Sequence, residues 1–226
     1  MSTPFPPQQA DVREAMCRVG RSLFERRLVH STAGNISVRL PQGQGFLITP
    51  TDACLGFLEP ARLAWVDLQG QQVAGDRASK TLSLHRRIYD AAPEAGCVLH
   101  THSTHLVALT LAGVWREDAI LPPLTAYQVM KVGRIPLMPY LRPGDRAMAD
   151  RLQALAESAA RAGAPIRGVM HERLGPTVWA ADPMQAMALL DELEETARLW
   201  LMTQPRPAPL TDAQLAELAQ AFGSRW

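Results

Sequence analysis

The sequence predicts a mixed α/β layer fold, on three observations. Segments with apolar residues at helical spacing alternate along the chain with short segments of strand character. Glycine and proline turns separate them, and no internal repeat, low-complexity block or linker breaks the pattern. The chain has 226 residues, 47% of them apolar, which suits one domain with a sizeable core. We expect the proline-rich residues 1–9 as a flexible N-terminus and residues 10–226 as a single domain.

The elements follow in order. Val12, Met16, Val19, Leu23 and Phe24 predict an amphipathic helix within 10–29. Gly34 and Asn35 predict a turn, after which Ile36, Val38 and Leu40 alternate as a strand. Residues 45–51 read as a second strand halted by Pro50, and 63–75 as a hairpin with Gly70 near its tip. In 79–92, positions 81, 84, 85, 88 and 92 share one helical face. Residues 96–103 read as an apolar strand with a polar end, and 104–112 as a helix. Residues 121–145 mix short elements with prolines, and Asp145 is placed to cap a helix over 147–162. Strands at 166–170 and 175–180, a long helix at 182–203 and a last one at 212–222 complete the chain.

Composition narrows the function. With 23 basic against 22 acidic residues, the chain has no electrostatic footprint for nucleic acid or an anionic membrane. No apolar stretch approaches the ~20 residues of a membrane span. The N-terminal segment lacks a basic region followed by an apolar one, so no signal peptide is expected. Cys17, Cys54 and Cys97 are scattered and odd in number, which fits a reducing cytoplasm better than a disulfide framework.

Three of the six histidines fall in CVLHTHSTH, residues 97–105. Strand alternation points His100 and His102 the same way, about 7 Å apart along the chain. Two such imidazoles can share one ion, and they can equally be core or interface histidines. His105 is out of register and reads as a helix-start or interface residue. Asn35, Thr51, Ser79 and Lys80 all sit at strand or helix edges. A serine at a helix start with a lysine beside it suits a phosphate monoester, and it is also what an ordinary solvated helix cap looks like.

Taken together, AGNISVRL, LITPTDACLG, GDRASKTLSLHRRIYDAAPEAGCVLHTHSTHLVAL and GPTVW resemble the class II aldolase/adducin-head family over about residues 10–203. LITPTDACLG, ASKTLSLH, LPPLTAYQVMKVG and PYLRPGD look most like the branch that decarboxylates 3-oxo-tetronate 4-phosphates. The resemblance implies a three-layer α/β/α sandwich around a largely antiparallel sheet, assembled as a homotetramer. It implies a cytoplasmic, zinc-dependent lyase acting on a phosphorylated sugar acid and yielding a triose phosphate. Asn35, Thr51, Ser79 and Lys80 would hold the phosphate, His100 and His102 would bind Zn2+, and Tyr127 would act as acid or orienting group.

Two positions depart from the family pattern. Thr81 stands where the family has a catalytic glutamate, four residues before His85. Leu174 stands where the third zinc histidine lies in an N-H-G-P turn, and the nearby His171 is three residues upstream, on the opposite face of an extended strand. Loss of the glutamate weighs more on aldol cleavage than on decarboxylation, which needs no base at a hydroxyl. The alternatives are a sugar-phosphate aldolase, a dehydratase of a phosphorylated ketose, or a relative that binds sugar phosphate without turnover.

Overall fold

The apolar segment that ends in the histidine pair lies at the centre of one sheet. The structure, a computed structural model, describes residues 5–226; residues 1–4 of the expected flexible N-terminus lie outside them. Its strands are β1 (Asn35–Arg39), β2 (Phe46–Ile48), β3 (Ala64–Val66), β4 (Gln72–Ala74), β5 (Cys97–His100), β6 (Leu137–Met138), β7 (Gly168–His171) and β8 (Gly175–Ala180). They are ordered β4-β3-β2-β1-β5-β8-β7-β6. All neighbours are antiparallel except β6 and β7. The main helices are α1 (Ala10–Glu25), α2 (Leu82–Ala91), α3 (Thr104–Ala112), α4 (Arg146–Arg161), α5 (Pro183–Met202) and α6 (Asp212–Phe222).

Strand alternation divides the interior into two cores. On one face Ile36, Leu47, Leu99 and Val178 pack with Met16 and Leu23 of α1, Leu109 of α3 and Leu193 of α5. On the other, Phe46, Val98, Val169 and Trp179 pack with Ile88 of α2 and Leu152 of α4. This is the expected α/β/α sandwich. The same alternation directs Asn35, Ser37, His100, Thr177 and His171 to the α2–α4 face, where they form a polar margin above the second core.

Most predicted elements lie within a few residues of their expected bounds, and the exceptions have local causes. The first helix stops at Glu25 rather than near Val29 because the chain turns back, with Arg27 at φ 61° and Leu28 N bonded to the Leu23 carbonyl. The helix after Arg77 starts at Leu82 with Thr81 as its cap residue, two positions later than Ser79, the expected cap. Ser79 instead accepts a hydrogen bond from Thr81 N through its Oγ (3.3 Å) and one from Leu82 N through its carbonyl (3.2 Å). Asp145 caps α4 as expected, accepting from Ala147 N at 3.0 Å. Within 121–145 lie a π-helical turn (Gln128–Val132) and the two-residue β6, both too short to leave a periodic signal.

Candidate active site

The site starts from a cross-strand pair. Asn35 of β1 and His100 of β5 are register partners, so the Gly-Asn turn and the histidine motif meet at one end of the sheet. Two glycines allow the close approach. A Cβ on Gly34 (φ +85°) would lie 2.7 Å from the His100 carbonyl oxygen, and one on Gly175 (φ +142°) would lie 2.0 Å from that of Thr101. The segment 100–102 is held between these two turns.

β5 ends at His100, yet side-chain alternation continues beyond it. Thr101 and Ser103 turn inward and bond to each other at 2.6 Å, with Ser103 donating to the Leu28 carbonyl. His100 and His102 remain together on the other side, with ring centroids 5.1 Å apart. Two imidazoles that each place a nitrogen about 2.1 Å from one ion have centroids roughly 5 Å apart at a tetrahedral angle. His100 Nδ1 lies 2.8 Å from the Pro176 carbonyl oxygen, which can only accept, so Nδ1 carries the proton and the Nε2 lone pair is free. Burial, reinforced by His171 and His102, pushes the His100 pKa well below the usual histidine value. Burial and His30 lower that of His102. Both rings are therefore neutral and able to ligate near pH 7.

These two side chains offer two imidazole ligands of the kind a divalent cation takes, one short of the three protein ligands usual at a catalytic zinc. Among the described residues there is no group of three or more His, Cys, Asp or Glu placed to hold one. Leu174 lies in a turn fixed by Arg173 N donating to Thr110 Oγ1 and Tyr140 N donating to Glu172 Oε2. His171 does approach His100, at 5.9 Å between centroids. Its Nε2 is 2.9 Å from Thr177 Oγ1, which in turn lies 3.1 Å from His100 Nδ1. His171 thus stands behind His100, on the side away from the free Nε2. Its Nδ1 is buried without a partner, and burial lowers its pKa to about 4.

The anion-binding candidates gather beside Asn35. Thr49 Oγ1 accepts from Ile36 N, Ser79 N donates to the Thr49 carbonyl, and Thr51 N donates to that of Arg77. These bonds join β1, the Thr49–Thr51 turn and the start of α2 into one corner. Ser79 Oγ and Thr81 Oγ1 are 3.0 Å apart. Lys80 is exposed and forms no ion pair among the described residues. The positive end of α2 faces the same corner. The structure therefore brings together Asn35, Thr51, Ser79, Lys80 and Thr81, with His100 and His102 at the adjoining sheet margin.

Tyr127 lies apart from them. It is 62% exposed and lines a separate cavity with Lys131, Arg167, Glu192 and Glu195. His105 belongs to the framework. Glu194 accepts from its Nδ1 and from the backbone N–H groups of His105 and Leu106, capping α3.

Sequence reasoning missed the residues behind the site. His85 is fully buried, with Nε2 2.6 Å from Asn35 Oδ1 and Nδ1 2.7 Å from Ser37 Oγ, which lies 2.8 Å from the Tyr89 hydroxyl. The signal was present in the i, i+2 spacing of Asn35 and Ser37 and the i, i+4 spacing of His85 and Tyr89. Thr177 and His171 had no comparable signal.

Known proteins bear on this geometry. The class II aldolase and adducin N-terminal domain family matches residues 14–201. The chain is 54% identical over 223 residues to a 3-oxo-tetronate 4-phosphate decarboxylase of Cupriavidus necator, covering 96% of this chain and 99% of that one. It is 38% identical to the protein of the same name from Escherichia coli K12, with 95% and 98% covered. The crystal structure of YgbL from Escherichia coli superposes with a TM-score of 0.84 at 36% identity, covering 93% of this chain and 98% of that one. The chain belongs to the class II aldolase and adducin N-terminal domain family.

Proposed function

We propose that this protein is a lyase that decarboxylates a 3-oxo-tetronate 4-phosphate to a three-carbon ketose phosphate. The Asn35–His100 cross-strand pair carries the reading, because it sets an oxyanion corner beside a neutral imidazole pair. The names of the full-length relatives support the substrate class.

In the proposed reaction, the Asn35 amide, Thr51, Ser79 and Lys80 bind the phosphate. That remote binding positions the reacting carbons at the His100–His102 margin. The C1–C2 bond breaks, carbon dioxide leaves, and the electron pair on C2 delocalises onto the C3 oxygen. His100 and His102 would hold a divalent cation, Zn2+ in this reading, which when bound would supply positive charge to stabilise the developing oxyanion. C2 then takes up a proton. Within one chain Tyr127 is set apart from the histidines, so the proton comes from solvent or from the exposed Tyr127 of a neighbouring copy in the expected homotetramer. Thr81, bonded to Ser79, helps orient the phosphate corner and cannot serve as a carboxylate base. The same reading places the enzyme in the cytoplasm. No helix among the described residues is long and apolar enough to cross a membrane.

Assaying carbon dioxide release from 3-oxo-tetronate 4-phosphate alongside cleavage of a ketose 1-phosphate tests this directly. Decarboxylation is the expected activity. Ketose cleavage without decarboxylation would overturn the reading.

A further inference from the structure

Asn35, Ser37, His85 and Tyr89 form a line of buried hydrogen bonds whose direction can be worked out. The links are Asn35 Oδ1 to His85 Nε2 (2.6 Å), His85 Nδ1 to Ser37 Oγ (2.7 Å) and Ser37 Oγ to the Tyr89 hydroxyl (2.8 Å). Each link needs one donor and one acceptor. Burial keeps His85 neutral, with a pKa lowered to about 3, so its ring offers one of each.

Two end-to-end directions are then open, because letting His85 Nδ1–H and Tyr89 O–H both donate to Ser37 would leave the buried Ser37 proton without an acceptor. In the first, Tyr89 O–H donates to Ser37, Ser37 O–H donates to His85 Nδ1, and His85 Nε2–H donates to Asn35 Oδ1. In the reverse, the Asn35 amide would donate to His85 Nε2 and each later link would invert. The Tyr89 proton would then have no acceptor inside the core. Among the described residues the Tyr89 hydroxyl has no hydrogen-bond partner other than Ser37 Oγ. An unpaired buried donor is costly, so the first direction prevails. At the far end, the Asn35 amide nitrogen has no protein partner and is not among the side-chain atoms sealed from solvent.

The geometry points to His85 as a positioning residue. Through this one-way relay it holds the Asn35 carboxamide with its oxygen inward and both N–H groups facing the bound oxyanion. The Asn35 side of the corner then presents donors only, which suits a fully ionised phosphate and disfavours a ligand group that must itself donate there. The inference rests on the proposed role of Asn35 as a phosphate ligand.

Two readouts on the full chain test it. Long-range proton–nitrogen NMR assigns the His85 tautomer: Nε2–H is expected, and Nδ1–H overturns the relay. Titration with inorganic phosphate then compares wild type with four variants. Asn35→Ala and His85→Phe should each weaken binding about tenfold or more. His85→Gln should recover most of the loss, since a carboxamide can donate and accept at once. Asn35→Asp keeps the acceptor for His85 but faces the anion with a carboxylate, and should abolish measurable binding. Unchanged affinity in His85→Phe, with Asn35→Ala weakened, overturns the relay and leaves the phosphate site standing. No phosphate binding by wild type, or an unaffected Asn35→Ala, overturns both. If His85→Phe does not fold, the tautomer and the His85→Gln affinity decide.

Discussion

The two ends of the polar margin are built to different standards. At the Asn35 end, each polar group from Tyr89 through Ser37 and His85 to Asn35 is hydrogen-bonded to the next. At the histidine end, of the two imidazoles placed to ligate only His100 is fixed by hydrogen bonds, through Nδ1 to the Pro176 carbonyl and the Thr177 hydroxyl. His102 makes no such bond and has His30 as a ring neighbour at 6.3 Å. In the proposed reaction the difference separates two tasks. The hydrogen-bonded Asn35 end would organise recognition of the anion in advance. At the histidine end one imidazole is fixed and the other would be positioned by what binds.

The largest way to break this contrast is to remove the fixed imidazole. His100→Ala should lower kcat/KM for decarboxylation by about 10³-fold or more. Phosphate affinity should stay within about threefold, because the donors at the Asn35 end are separate. Equal losses in both would show that the two ends are one unit.

The second effect is on stability. The folded pKa of His85 lies near 3 against an ordinary 6.5. Above the ordinary value the ring is neutral folded or unfolded, so its titration costs the fold nothing. As pH falls below 6.5 the unfolded chain takes up a proton that the folded chain refuses, and stability declines until the folded pKa is reached. The slope from this one group approaches about 1.4 kcal/mol per pH unit. Denaturant unfolding between pH 7 and pH 4 should show a shallower decline for His85→Gln than for wild type.

A smaller effect sharpens the histidine end. Thr177→Val removes the hydroxyl shared by His100 Nδ1 and His171 Nε2 while leaving the Pro176 bond. Affinity for Zn2+, measured by competition with a chromophoric chelator, should fall about tenfold. An unchanged affinity would mean that Pro176 alone orients the ring. The smallest change belongs to Ser79→Ala. Its hydroxyl bonds to Thr81 within the corner, so a KM increase of about three- to tenfold is expected with kcat little altered.

The sequence carried the layers of the fold because each long helix and each central strand shows its own periodicity. The α1 stripe and the alternation of Ile36 and Val38 could be read locally, whereas two-residue β6 exists only through its pairing with β7. The site divided along the same line. Asn35, Thr51, Ser79, Lys80, His100 and His102 stood out because their residue types mark turns, caps and metal pairs. His85, Ser37 and Tyr89 act through contacts spanning 48 to 52 residues in sequence. His171 looked misplaced beside the vacated histidine position at Leu174; only the fold puts Thr177 between it and His100.

The most direct test follows the carboxyl carbon. Wild type and His100→Ala would be given 3-oxo-tetronate 4-phosphate labelled with 13C at C1, and the fate of the label read by NMR. Wild type should turn the label into carbon dioxide and its hydrated forms, one for each ketose phosphate produced, and the variant should convert almost none. Label retained in an organic product of wild type, or release at the wild-type rate by the variant, would contradict the proposed reaction.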